Sequence, residues 1–133
     1  MTRLLLDTTF LIDIERGDAD LDAAVHDDDD VAIATITAAE LRVGAELATG
    51  KRRAKRRAFV DAVLDTIPTL GYDDAVAIDH AELLVATRRS GTPRGAHDLI
   101  IAATALTHGR TIVSADRSAF ADLPNVRVAD HRS

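Results

Sequence analysis

Apolar residues along this chain fall into short unbroken runs that alternate with helix-spaced stripes, the signature of buried strands joined by amphipathic helices. The first run, Leu4-Leu5-Leu6, has apolar residues in succession rather than on alternate positions, as a parallel strand covered on both faces requires, and it ends at Asp7. Residues 8–16 then read as a helix capped by Thr8 or Thr9, with Phe10, Leu11 and Ile14 on one side and Gly17 as its stop. A short helix over 20–26 and a solvated acidic turn over 27–30 lead to a second strand at 31–34. Thr37 opens the next helix, which runs through Leu41, Ala45 and Ala48, with Gly44 admitting a close neighbour and a stop near Gly50. A basic-then-apolar helix over 51–66 presents Phe59, Val63 and Ile67 for packing. The strand at 67–70 contains Pro68, which lacks the N–H a central ladder needs, so it belongs at a sheet edge. A long helix over 73–89 buries Ala77, Ile78, Ala81, Leu84 and Val85, whereas the helix beginning at His97 is apolar nearly all round and therefore sandwiched. The strand at 111–113, a last helical turn at 117–121 and a short strand at 126–128 on the other edge complete the pattern.

The order β-α-α-β-α-α-β-α-α-β-α-β predicts an α/β protein, a parallel sheet of five short strands wrapped by helices in a three-layer sandwich. Its 133 residues make one domain, 1–133, and with 47% hydrophobic but only 3% aromatic residues the core is aliphatic. Cysteine is absent, which removes disulfides, thiolate metal sites and thiol nucleophiles together and leaves only oxygen and imidazole donors for any metal. No apolar run is long enough to span a membrane or form a signal peptide's core, so a cytoplasmic protein with no membrane partner is expected.

Four acids fall just past strand ends or in the first turns of helices at one end of that sheet: Asp7, Glu40, Asp98 and Asp116. Two of them have an ordinary explanation. Glu40 completes a capping box with Thr37, and Asp98 complements a helix dipole by about 0.3–1 kcal/mol. Their coincidence at the carboxyl end of a parallel sheet, where such folds place ligands, is what gives them weight. Two like charges about 4 Å apart repel by roughly 4 kcal/mol at an effective dielectric of 20, so a cation belongs between them. Carboxylates without thiolates select Mg²⁺ or Mn²⁺, and such an ion suits in-line hydrolysis of a phosphodiester without a nucleophilic side chain.

Net charge is −6, yet both lysines, Lys51 and Lys55, lie in one basic run with Arg52, Arg53, Arg56 and Arg57. Cations at a helix start oppose the macrodipole, so the run serves contact with RNA phosphate or a partner, or it is an ordinary solvated face. Arg88, Arg89 and Arg94, before Asp98, are further candidates for phosphate contact or for simple solvation. The stretch GAELATGKR resembles a phosphate loop but has one spacer too many, Arg52 where Ser or Thr is needed, and a helical setting. All five histidines read as non-ligands, since His97 and His108 stand about 16 Å apart along one helix.

LLLDTTFLID, TITAAELRVGAE, GAHDLIIAATAL and TIVSADRSAF occur in the order and spacing of PIN-domain ribonucleases, and the chain resembles a VapC-type toxin of a bacterial toxin–antitoxin pair over essentially its whole length. The resemblance implies a PIN-like sheet of order 3-2-1-4-5 and Mg²⁺- or Mn²⁺-dependent endonucleolytic cleavage of RNA, often tRNA or a ribosomal RNA loop. It further implies a homodimer, and a cognate VapB-type antitoxin whose C-terminal segment covers the acidic groove. By the same match Asp7, Glu40 and Asp98 hold the metal, Asp116 takes the fourth acidic position, and Ser114 with Thr8 or Thr9 supports the site. Lys51, Arg52, Arg53, Arg56 and Arg94 are the candidate RNA contacts. Two other readings stay open on the residues alone: an acidic pocket that docks a basic peptide without catalysis, and a phospho-receiver, whose chemistry wants a lysine near the pocket that Lys51 and Lys55 do not obviously supply.

Overall fold

In a computed structural model, which describes residues 1–130, five parallel strands lie in the order β3-β2-β1-β4-β5. They are β1 (Arg3–Leu6), β2 (Asp30–Ala34), β3 (Thr69–Leu70), β4 (Thr111–Ser114) and β5 (Val128–Asp130). Between them run α1 (Thr8–Arg16), α2 (Leu21–Ala24), α3 (Thr35–Leu47), α4 (Gly50–Thr66), α5 (Asp74–Ser90) and α6 (Ala96–Thr107), with a 3₁₀ turn at Arg117–Phe120 before β5. The strand order and three layers are those expected. His131 and the last residues of the expected 1–133 domain lie outside the described residues.

The period of two along each strand divides the core. Leu5, Ala32, Ala34 and Ile112 face one way and pack with Val76 and Leu83 of α5 and Leu99, Ile101 and Ala102 of α6. Leu4, Leu6, Ile33 and Val113 face the other way, against Phe10 and Leu11 of α1, Leu41 and Ala45 of α3, and Val60 and Val63 of α4. Both faces are dry, as the unbroken apolar runs require, and burying each Leu or Ile contributes about 1.5–3 kcal/mol.

Four local expectations are corrected. The cap of α1 is Asp7, whose carboxylate accepts from the Phe10 N–H, and Thr8 is already helical. Helix α3 starts at Thr35 behind Ala34, which offers no side-chain cap, so Thr37 and Glu40 form no capping box. The buried face of α5 is Val76 and Leu83, while Ile78, Ala81 and Val85 point to solvent, Ile78 with 64% of its surface exposed. Gly44 has no close neighbour over its Cα; what approaches is Arg56 Nη1, which donates to its carbonyl. Pro68 sits at the edge as expected, but β3 begins after it, and its carbonyl accepts from the Ile33 N–H.

The acidic turn at the amino end of the sheet is more structured than a solvated loop. Asp29 accepts from the N–H groups of Thr2 and His26, which hold its carboxyl below the usual range. The buried Arg110 side chain reaches under the sheet and donates from Nη1 to Leu4 O, Asp30 O and Asp30 Oδ1 at 3.1, 2.9 and 2.9 Å.

Candidate active site

At the opposite, carboxyl end, the four acids arrive by different routes. Asp7 follows β1 directly and is fixed by three donors: Phe10 N–H and Thr9 Oγ1 to Oδ1 at 3.0 and 2.8 Å, and Ser114 Oγ to Oδ2 at 2.6 Å. Ser114, the last residue of β4, also accepts from the Asp116 N–H at 2.8 Å, and Thr9 Oγ1 accepts from the Ala115 N–H at 3.1 Å. Two hydroxyls thus lock the β4 exit loop, which carries Asp116, onto Asp7. The Asp116 carboxylate accepts from Ser118 Oγ in the following turn.

Glu40, in the second turn of α3, is held from both sides. Thr8 Oγ1 donates to Oε1 at 2.8 Å, itself 3.2 Å from the fully buried hydroxyl of Thr37, and His97 Nδ1 lies 3.2 Å from Oε2. Thr37, read from the sequence as a cap, instead underpins the residue that holds Glu40. His97 is the contact the sequence reading missed: no motif marks it, and its neighbour across the gap is 57 residues away.

Asp98 projects from the first turn of α6 back over Gly95, the residue that caps that helix. A Cβ on Gly95 would stand 2.8 Å from Asp98 Oδ2, so the glycine keeps open the space the carboxylate occupies. Gly95 has an ordinary negative φ of −59°, and its requirement is room, not backbone freedom.

Asp98 senses the other three acids, and Asp7 senses Asp116. Burial raises the Asp98 pKa first, and the charges of Asp7, Glu40 and Asp116 raise it further against a smaller opposing effect of His97. Burial raises Asp7 as well, partly offset by the donors from Ser114, Phe10 and Thr9, with Asp116 adding to the rise. None of the four has an arginine or lysine partner among the described residues. The donor set is hard oxygen, which fits Mg²⁺ or Mn²⁺. Among the described residues no three Asp, Glu, His or Cys side chains are gathered closely enough to clasp an ion as they stand.

The candidate RNA contacts divide differently from their listing along the chain. Arg53 and Arg56 reach back to α3 carbonyls, Arg56 also pairs with Glu15, and Arg94 Nη2 donates to Ala121 O at 2.6 Å. Lys51 and Arg52 stay exposed and have no such partner among the described residues.

The PIN domain family model matches residues 4–126. Ribonuclease VapC4 of Mycobacterium tuberculosis is 34% identical over 128 residues, 95% of either chain, and the tRNA(fMet)-specific endonuclease VapC of Salmonella typhimurium is 32% identical over 98 residues, 74% of this chain and 73% of the relative. The solved structure of VapBC-5, a toxin–antitoxin family member from M. tuberculosis, superposes with a TM-score of 0.80 at 33% identity, covering 100% of both chains. The chain belongs to the PIN-domain family, and within it to the VapC ribonucleases.

Proposed function

We propose that the chain is a metal-dependent endoribonuclease toxin that hydrolyses RNA phosphodiester bonds in tRNA or rRNA, the tRNA reading supported by its tRNA(fMet)-specific relative, and is neutralised by a VapB-type antitoxin. The observation that carries the reading is Asp98, a carboxylate kept beside Asp7, Glu40 and Asp116 with its pKa raised and without a basic partner among the described residues. Asp7 and Asp98 would hold Mg²⁺ or Mn²⁺ directly and Glu40 directly or through water, with Asp116 further out; bound there, the ion supplies acidity to a water and neutralises charge on the phosphate oxygens.

The chain's own groups do the positioning. Ser114 and Thr9 fix the plane of the Asp7 carboxylate and the place of Asp116 relative to it. Thr8 and His97 hold Glu40 from opposite sides, leaving its remaining lone pairs to orient the attacking water, and Gly95 leaves Asp98 its room. Several neighbouring carboxylates give a reason for the cation to bind, and a bound cation would pull the raised pKa values of Asp7 and Asp98 back down.

Partners follow the same logic. A relative of known structure belongs to the VapBC family of toxin–antitoxin systems, which supports an antitoxin as the protein partner. The stripe Ile78, Ala81 and Val85 on α5, exposed at helical spacing, supports a homodimer. No helix among the described residues is long and apolar enough to cross a membrane, and an RNA substrate would support a cytoplasmic location.

Purified protein incubated with total bacterial RNA should cut it with Mn²⁺ and not with EDTA, and Asp7→Asn, which keeps a helix-capping side chain, should fold and not cut. Cleavage by Asp7→Asn equal to that of the native chain would refute the proposal. Melting unmoved by Mn²⁺, together with no cleavage, would point to an acidic docking pocket instead.

A further inference from the structure

Six cations occupy the first two turns of α4, and the structure separates them into two sets. Arg53 and Arg57 turn onto Glu46, and Arg56 onto Glu15 and the Gly44 carbonyl, so these three fasten α4 to α3 and α1. Lys51, Arg52 and Lys55 remain exposed, with no ion pair or hydrogen bond among the described residues. Arg52 and Lys55 are three residues apart on one face of the helix. With Arg16, from the last turn of α1, they line a shallow pocket whose one acidic wall is Glu15, already paired with Arg56.

Glu15, Arg16 and Arg56 also line a second pocket, floored by Ile12, Leu41 and Val60, and Glu40 is on its wall. The two pockets share these three residues, so the one walled by Glu40 adjoins the one that holds the free cations. Helix α1 measures the distance across them. Thr8 touches Glu40, and Arg16 lies eight residues on, about 12 Å at 1.5 Å per residue. Arg16 complements the dipole of α1, but Arg52 and Lys55 oppose that of α4, so helix stability does not account for them.

We propose that Arg16, Arg52 and Lys55 form a phosphate-binding subsite that grips the RNA strand a few nucleotides from the bond held at Asp98. The proposal rests on the ribonuclease reading above and adds where the substrate's flank is bound. A polyanion must be brought to a centre that repels it, in a chain of net charge −6, and three unpaired cations around the adjoining pocket offset that repulsion. An acidic protein segment would be attracted by the same charges, but RNA is the ligand that has to span both the carboxylates and the cations.

The test is cleavage of a fluorescent single-stranded RNA by the full chain and by the triple variant R16Q/R52Q/K55Q over a series of salt concentrations. The variant should melt like the native protein and show KM raised at least about tenfold, kcat within about twofold, and a log–log salt slope shallower by about 2, at roughly 0.7 per phosphate contact. The double variant R52Q/K55Q, which leaves α1 intact, should show about two-thirds of the change in slope. Arg127→Gln, near the other end of the sheet, should change neither quantity. Unaltered KM and slope in the triple variant would overturn the subsite, as would loss of polyglutamate binding with RNA kinetics unmoved. RNA affinity measured by anisotropy in the Asp98→Asn background keeps the two claims separate: absent cleavage by the native chain defeats the ribonuclease reading, and an equal salt slope of RNA binding with and without the three cations defeats the subsite.

Discussion

The two ends of the parallel sheet carry acids in opposite circumstances. At the amino end the chain satisfies its own carboxylates: Asp29 takes two backbone N–H donors that lower its pKa, and Asp30 is met by the buried guanidinium of Arg110. At the carboxyl end Asp7 and Asp98 are raised by burial and by neighbouring negative charge, and no basic side chain among the described residues comes to meet them. The same residue type therefore stabilises one end and strains the other. An acidic cluster that is finished by the chain is architecture; one left unfinished is a receptor for something positive.

Removing charge at each end breaks the comparison most directly. Asp98→Asn should lower Mn²⁺-dependent RNA cleavage more than about a hundredfold while the fold persists, checked by single-turnover cleavage and circular dichroism. Arg110→Leu should do the reverse: two strand carbonyls lose a charged donor, which costs about 2–3 kcal/mol in urea unfolding, with kcat of the remaining folded protein unchanged.

Gly95→Ala is a subtler intrusion. Alanine accepts the backbone there, so the melting temperature should stay within a few degrees, but the added methyl displaces Asp98 Oδ2 and should reduce cleavage about tenfold or more. Mn²⁺ affinity measured by calorimetry should fall with it, which separates a displaced ligand from a weakened helix.

The smallest expected effect is a pH dependence. A carboxyl whose folded pKa lies above its unfolded value binds more protons folded than unfolded, so its contribution to stability falls as pH rises through the folded pKa and is restored as pH drops below the unfolded value. Metal-free native protein should therefore be less stable at pH 7 than Asp98→Asn, and the difference should close as pH falls below the ordinary Asp value of 3.8. Saturating Mn²⁺ should stabilise the native chain by about 2.7 kcal/mol at a hundredfold excess over its dissociation constant and so reverse the ranking at pH 7. Thermal melts at three pH values, with and without Mn²⁺, check both statements.

The fold was legible because strands here obey a local rule. Leu4-Leu5-Leu6 announces burial on both faces, Pro68 announces an edge, and the split of the core into two sides follows from a period of two. Helix α5 was misread because its apolar residues lie on more than one face: Ile78 and Val85 match a buried stripe in spacing, but Val76 and Leu83 are the ones that meet α6 and the sheet. The acids were visible by their position after strands, whereas the groups that hold them were not. Thr37 looked like a cap and His97 like a bystander, and nothing singled out Gly95, because what defines them is a neighbour brought close by folding. The cations show the same limit: nothing in a run of six distinguishes those that fasten helices from those left free.

One further consequence lies in Asp7, which both starts α1 and belongs to the acidic centre. A gene copy relieved of any need to cut could discard Asp98 at little cost to folding, while a change at Asp7 also unpins the first helix. Decay from working toxin to inert relative should therefore begin at Asp98, and where Asp7 does drift, Asn, Ser or Thr should replace it, the side chains that can still begin a helix.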